Sequence, residues 1–176
     1  MSDVKSGDMG PWLSPEDLEF VRRKVPMLYI DAVPVHLNDD GSLHSLGLIL
    51  TATDDGITRS LVSGRVLYHE SIRDALKRHL EKDLGDIALP QLPCHLVPFT
   101  VGEYFPTPGE GHHDPRQHAV SLAYLIPIVG DCKPWSDALE INWFTPGELL
   151  TPELQSEILP NHLPIIKQAL AVMGRI

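Results

Sequence analysis

Residues 71–84 constrain this 176-residue chain more than any other segment. Ile72, Ala75, Leu76, Leu80 and Leu84 recur at helical spacing, Ser71 stands before them as a capping side chain, and Gly85 follows where a left-handed cap fits. Such a helix must bury its apolar stripe, and the flanking sequence supplies strands to receive it. Residues 27–37 are rich in β-branched and aromatic side chains, Asn38-Asp39-Asp40-Gly41 provides hairpin-turn residues, and 46–53 returns as a second strand. Asp54-Asp55-Gly56 turns again into 58–63, a strand interrupted at Gly64. Beyond the helix, 94–105 and 118–128 alternate as strands around a proline- and glycine-rich loop at 106–116, and 139–144 forms a last short strand. Ser14-Pro15-Glu16-Asp17 opens a short helix ending near Pro26, Thr145-Pro146-Gly147-Glu148 reads as a capped helical turn, and 163–172 reads as a terminal helix. The pattern predicts an α+β fold in which helices cover a mixed β-sheet.

The length fits one domain, placed at 14–176 behind a small, polar leader at 1–13 that the composition predicts to be flexible. Hydrophobic residues at 43% and charged residues at 22% exclude global disorder. The formal charge, 14 − 24 = −10, opposes binding to a nucleic-acid backbone, although a few arginines in a pocket can still hold a small anion. Cys94 and Cys132 lack CxxC spacing and read as reduced, packed thiols. No charged start leads into an apolar run, and no stretch approaches the ~18–20 apolar residues of a spanning helix. The expectation is a cytoplasmic protein with no membrane partner.

The stretch Gly64-Arg65-Val66-Leu67-Tyr68-His69-Glu70, continued by Arg78-His79-Leu80-Glu81-Lys82-Asp83-Leu84-Gly85, resembles the Nudix box, G-x5-E-x7-R-E-U-x-E-E-x-G-U with U aliphatic. Gly64, Glu70, Arg78, Leu80 and Gly85 fall on pattern positions, and Asp83 is a shorter carboxylate where the last glutamate belongs. His79 and Lys82 replace the other two carboxylates, and Asp86 stands at an aliphatic position. Downstream, Phe144-Thr145-Pro146-Gly147-Glu148-Leu149 resembles the aromatic-Thr-Pro-x-Glu-Leu segment late in many Nudix domains. The resemblance covers about residues 26–150 and implies a Nudix-type α/β/α sandwich with a mixed β-sheet, plus N-terminal and C-terminal helices. Within the superfamily, Val25-Pro26-Met27-Leu28-Tyr29-Ile30-Asp31, the pair Gly64-Arg65 and the thinned box look most similar to the GDP-mannose mannosyl hydrolase branch.

On a helix, positions 79, 82 and 83 crowd one face, where carboxylates jointly hold hard divalent cations. Here His79 and Lys82 change two of those positions from a formal −2 to +1. A unit charge at ~4 Å is worth about 4 kcal/mol at an effective dielectric of ~20, so a multi-metal site is weakened. The resemblance leaves a single Mg2+ (or Mn2+), with Asp83 as a ligand and Asp137 as the second by ungapped counting. It implies Arg65 and Arg78 as phosphate clamps, with Glu70 beside them in the catalytic set, and Asp31 orienting a sugar or base. The branch's histidine base falls on Ala138, which removes that imidazole. Arg116 and His118 on the long loop are expected substrate contacts, and Lys82 either is solvated or stands in for a cation. Structural alternatives run beside these roles: Arg78 pairs equally well with Asp74, and Glu70 can fix the loop before the helix.

Two functions follow. One is a Nudix-like hydrolase acting on a nucleoside diphosphate linked to another moiety, with a nucleotide sugar favoured and Mg-assisted attack by water. The other is a catalytically inactive Nudix fold that binds a nucleotide or nucleotide sugar as a sensor. The resemblance also implies a homodimer.

Overall fold

The computed structural model describes residues 11–53, 56–134 and 138–174. In chain order the elements are α1 (Pro15–Arg22), β1 (Met27–Leu37), β2 (Leu43–Thr53), β3 (Gly56–Ser60), β4 (Val62–Arg65), α2 (Ile72–Leu84), β5 (Thr100–Phe105), β6 (His112–His113), β7 (Ala119–Pro127), β8 (Ala138–Phe144), α3 (Pro146–Leu149), α4 (Pro152–Glu157) and α5 (Leu163–Val172). The strands join in one mixed sheet of order β3-β2-β1-β7-β5-β6, with β4 also pairing β1 and β8 also pairing β2. β1 runs parallel to β7 and antiparallel to both β2 and β4. The expected α+β sandwich is the one found.

Side-chain alternation along β1 divides the two layers. Ile30 and Ala32 face α2 and join Ala75, Leu76, Leu80 and Leu84 in one core cluster. Each buried leucine there contributes roughly 1.5–3 kcal/mol. Val33 and Val35 face the other way, toward Ile165, Ile166, Ala169 and Leu170 of α5. Asp31 shares that second parity and so stands, buried, at the α5 side of the sheet.

Capping follows the sequence. Ser71 Oγ accepts the Asp74 N–H at 3.1 Å and donates to the Asp74 carboxylate at 2.6 Å, so Asp74 is spent on the cap and is not the partner of Arg78. Gly85 ends α2 at φ 90°, and a Cβ there would come within 2.4 Å of the Lys133 carbonyl oxygen. The expected capped turn at Thr145 is present, and there Thr145 and Glu148 form a reciprocal capping box.

Three local expectations change. The strand expected at 94–105 starts only at Thr100, because Pro90, Pro93 and Pro98 withhold ladder donors from the preceding chain. The strand expected at 58–63 divides at Leu61, where the chain leaves β2 and crosses to β1. The 106–116 loop contains the two-residue β6, and α4 was not read from the sequence.

Candidate active site

Glu70 closes the turn after β4. Its Oε2 accepts the Leu67 N–H at 2.9 Å, while Arg78 reaches back from α2 to both oxygens, Nε to Oε1 at 2.7 Å and Nη2 to Oε2 at 2.8 Å. Arg78 Nη2 also donates to the Arg65 carbonyl at 3.0 Å, and its guanidinium lies 5.8 Å from the centre of the Trp12 ring. The Arg78 bonds outweigh burial and hold the Glu70 carboxyl below its ordinary range, so the pair is ionised and bidentate.

His79 sits beside this pair, its Nε2 3.1 Å from the same Arg65 carbonyl. Burial, partly opposed by that carbonyl, lowers the imidazole pKa, so the ring is neutral and donates through Nε2. Its Nδ1 is buried without a partner. The ring lies against Gly64, where an added Cβ would approach Cε1 to 1.9 Å. The first glycine of the box is therefore the space into which the histidine packs.

On the α5 side of the sheet, a cavity of about 90 Å³ opens around Asp31. Asp31 Oδ2 accepts the Ser121 hydroxyl, while Oδ1 is buried without a partner within hydrogen-bond range. His162, at the start of α5, places Nε2 3.7 Å from Oδ1. Its Nδ1 accepts the Leu61 N–H at 3.0 Å, which fixes the proton of the neutral ring on Nε2. Burial lowers the His162 pKa against the opposing charge of Asp31, consistent with that neutral tautomer. Tyr29 and Tyr104 line the same space, and burial raises the Tyr104 hydroxyl pKa. Arg116 and Gln117 line its outer part.

Of the expected site residues, Arg65 pairs with Tyr29 on adjacent strands, which puts its side chain on the same sheet face as Asp31. Arg78 and Glu70 are bound to each other at the opposite layer. Lys82 is exposed on α2, and Asp83 is half-buried. Neither Arg65, Arg78, Lys82 nor Asp83 lines the Asp31 cavity. Arg116 grips Asp114 through Nε at 3.0 Å and Nη2 at 2.9 Å. His118 stacks on Phe105 at 4.7 Å. Asp137 lies outside the described residues. His162, Tyr29, Tyr104 and Gln117 complete the cavity without having been singled out from sequence; no local motif marks them, since only the sheet register and the α5 packing bring them to Asp31.

Nudix hydrolases generally use divalent metal ions, and the described residues fit one poorly. Among them, no group of three His, Cys, Asp or Glu side chains could hold a metal. Both Glu70 oxygens are bonded to Arg78, His79 turns Nε2 to a carbonyl, and position 82 carries an ammonium.

The fold has counterparts among solved structures. One, described as a possible asymmetric diadenosine tetraphosphate hydrolase from Jonesia denitrificans, is 51% identical and superposes with a TM-score of 0.82 over 86% of this chain and 97% of that one. The NUDIX domain of Shewanella oneidensis NrtR, complexed with ADP ribose, is 16% identical, with a TM-score of 0.61 over 98% and 99% of the two chains. A NUDIX hydrolase from Nitrosomonas europaea is 18% identical, with a TM-score of 0.61 over 85% and 91%. A search of curated proteins gives no match. The fold is that of the NUDIX proteins. More narrowly, the chain belongs to the family described as Domain of unknown function (DUF4916), whose model matches residues 8–175.

Proposed function

We propose that this protein hydrolyses a nucleotide in which a nucleoside diphosphate is linked to a further group, either a sugar or a second phosphorylated nucleoside. The Asp31 cavity carries this reading. A carboxylate oxygen buried without a donor is costly to the free protein, and a ligand N–H or O–H relieves it. Tyrosine rings line the space that would take a planar base, the His162 Nε2–H lies 3.7 Å from Oδ1, too far to satisfy it, and the Arg116 guanidinium on the cavity wall would take phosphate charge.

On this reading Asp31 and His162 hold the nucleoside, and Arg65 and Arg116 stabilise phosphate charge. Glu70 and Arg78 fix the loop that presents Arg65. Water is the nucleophile: its oxygen bonds to a phosphorus of the bridge, the opposite P–O bond breaks, the leaving phosphate oxygen keeps the electron pair, and the proton released by the attacking water passes to solvent. The Jonesia relative favours this phosphoanhydride cut over the glycosidic cut suggested by the mannosyl hydrolase resemblance. The second reading, a binding protein without turnover, is favoured by His79 and Lys82 standing at two carboxylate positions.

The purified protein is incubated with diadenosine tetraphosphate, ADP-ribose and GDP-mannose, with Mg2+, with Mn2+ and with a chelator, and products are resolved by 31P NMR and a reducing-sugar assay. Nucleoside phosphates as products support the proposal, and a free sugar identifies the glycosidic cut. Thermal stabilisation by the nucleotides without products selects the binding reading. Neither turnover nor stabilisation refutes both.

A further inference from the structure

A second cavity, of about 790 Å³, lies between the C-terminal end of α1 and residues 106–118. It meets the Asp31 cavity through two shared residues, Arg116 and Gln117. Its walls carry Arg22, Arg23, Lys24 and Arg116, against one acidic side chain, Glu19. In a chain with net charge −10, that places four of its 14 cationic side chains around one groove.

Two of these arginines are held by buried polar groups. Gln117, 2% exposed, accepts Arg22 Nε at 3.1 Å through Oε1, and its Nε2 donates to the Tyr29 hydroxyl at 3.0 Å and to Asp114 Oδ2 at 3.2 Å. Asp114, 5% exposed, takes the Arg116 fork. Burial would raise the Asp114 carboxyl, but the Arg116 and Gln117 bonds outweigh it and keep it below its ordinary value, so it is an anion that anchors the guanidinium. The remaining cations have weaker ties: Arg23 pairs with Glu19 at the surface at 2.7 Å, and Lys24 Nζ lies 5.7 Å from the Phe20 ring centre. His118, on the same wall, has a buried Nε2 without a partner.

We propose that this groove is an oligophosphate-binding site that receives a phosphate chain running outward from the Asp31 cavity. Guanidinium forks anchored from beneath suit the tetrahedral, multiply charged oxygens of phosphate. The overall negative charge disfavours an extended polyanion such as a nucleic acid and leaves a short one as the ligand. The site deepens the proposed function: its substrates carry three or more phosphates, so that the phosphates beyond the first two lie along Arg22 and Lys24. Naming the nucleoside at the inner end rests on that proposal, while the groove itself does not.

Inorganic tripolyphosphate and pyrophosphate are titrated into the protein by calorimetry, followed by the variants Arg22→Ala/Lys24→Ala and Arg23→Ala/Lys24→Ala. The second pair leaves the Gln117 bond intact and decides the matter if the first fails to fold. The expected result is tighter binding of tripolyphosphate than of pyrophosphate, with an affinity loss of about tenfold in a folded double variant, the effect of removing a charge-assisted contact. Asp31→Asn should leave tripolyphosphate binding unchanged and weaken nucleotide binding. Tripolyphosphate binding that is absent, or unaltered in a folded double variant, overturns the groove assignment even if nucleotides are hydrolysed. Binding that persists without any nucleotide turnover supports the groove and counts against the hydrolase proposal alone.

Discussion

Gly64→Ala tests why the box begins with glycine in this chain. The new methyl would lie 1.9 Å from His79 Cε1, 2.3 Å from Nε2 and 2.4 Å from Nδ1, so the imidazole must leave its seat. Two terms follow. Overpacking a filled site costs about 1–3 kcal/mol, and losing the His79 bond leaves the Arg65 carbonyl with the Arg78 donor alone, for about 0.5–1.5 kcal/mol more. Their sum, about 1.5–4.5 kcal/mol, is a large share of the roughly 5–15 kcal/mol that holds a domain folded. In urea, with m of about 1–3 kcal/mol/M, the midpoint should fall by about 0.5 M or more. His79→Ala empties the space the methyl needs. The Gly64→Ala/His79→Ala double variant should therefore be less destabilised than the sum of the singles by about 1–3 kcal/mol. A Gly64→Ala cost below about 0.5 kcal/mol, or strict additivity in the cycle, refutes the packing argument.

The remaining predictions concern the charges. Asp31→Asn keeps an acceptor for Ser121 and removes a buried charge, so the unliganded protein should melt about 2–4 °C higher, a gain of about 1 kcal/mol, while nucleotide affinity falls; scanning calorimetry with and without nucleotide checks both directions. Arg78→Lys, which cannot form the two-toothed contact with Glu70, should cost about 1.5–3 kcal/mol in urea unfolding, and a neutral result would make the pair ornamental. His79 and His162 have native pKa values below 6.5, so below that pH the unfolded chain binds more protons and stability falls as pH drops. Glu70, depressed from 4.5, adds a further loss as pH falls through and below that value. Urea midpoints at pH 7.5 and 5.5 measure the histidine part, and His162→Asn, whose Oδ1 can take the Leu61 N–H, should flatten the slope.

The layers were legible because helical and strand periods are local. The α2 stripe, its Ser71 and Gly85 ends and the Thr145–Glu148 box all depend on residues within a turn of one another, and all are present. The region before Thr100 was not legible, because prolines that interrupt a ladder leave its apolar composition unchanged. The site divides in the same manner. Box spacing brings out Glu70, in the turn before α2, and Arg78 on α2, which pair with each other, but it reads Arg78 toward phosphate when its acceptors are the Glu70 carboxylate and the Arg65 carbonyl.

What spacing cannot show is side-chain parity across strands far apart in sequence. Asp31 was conspicuous as an acid in an apolar strand, yet its neighbours Ser121, Tyr104 and His162 come from three other elements. The parallel register of β1 and β7 and the approach of α5 create that cluster, and neither has a local signature. The same register turns Asp31 away from α2. Losing carboxylates at positions 79 and 82 therefore leaves the buried acid, its histidine neighbour and the cation-lined groove intact, because they belong to the opposite layer. A chain can lose its box carboxylates and keep its Asp31 cavity for this reason: one sheet separates the two, and each is held by its own packing.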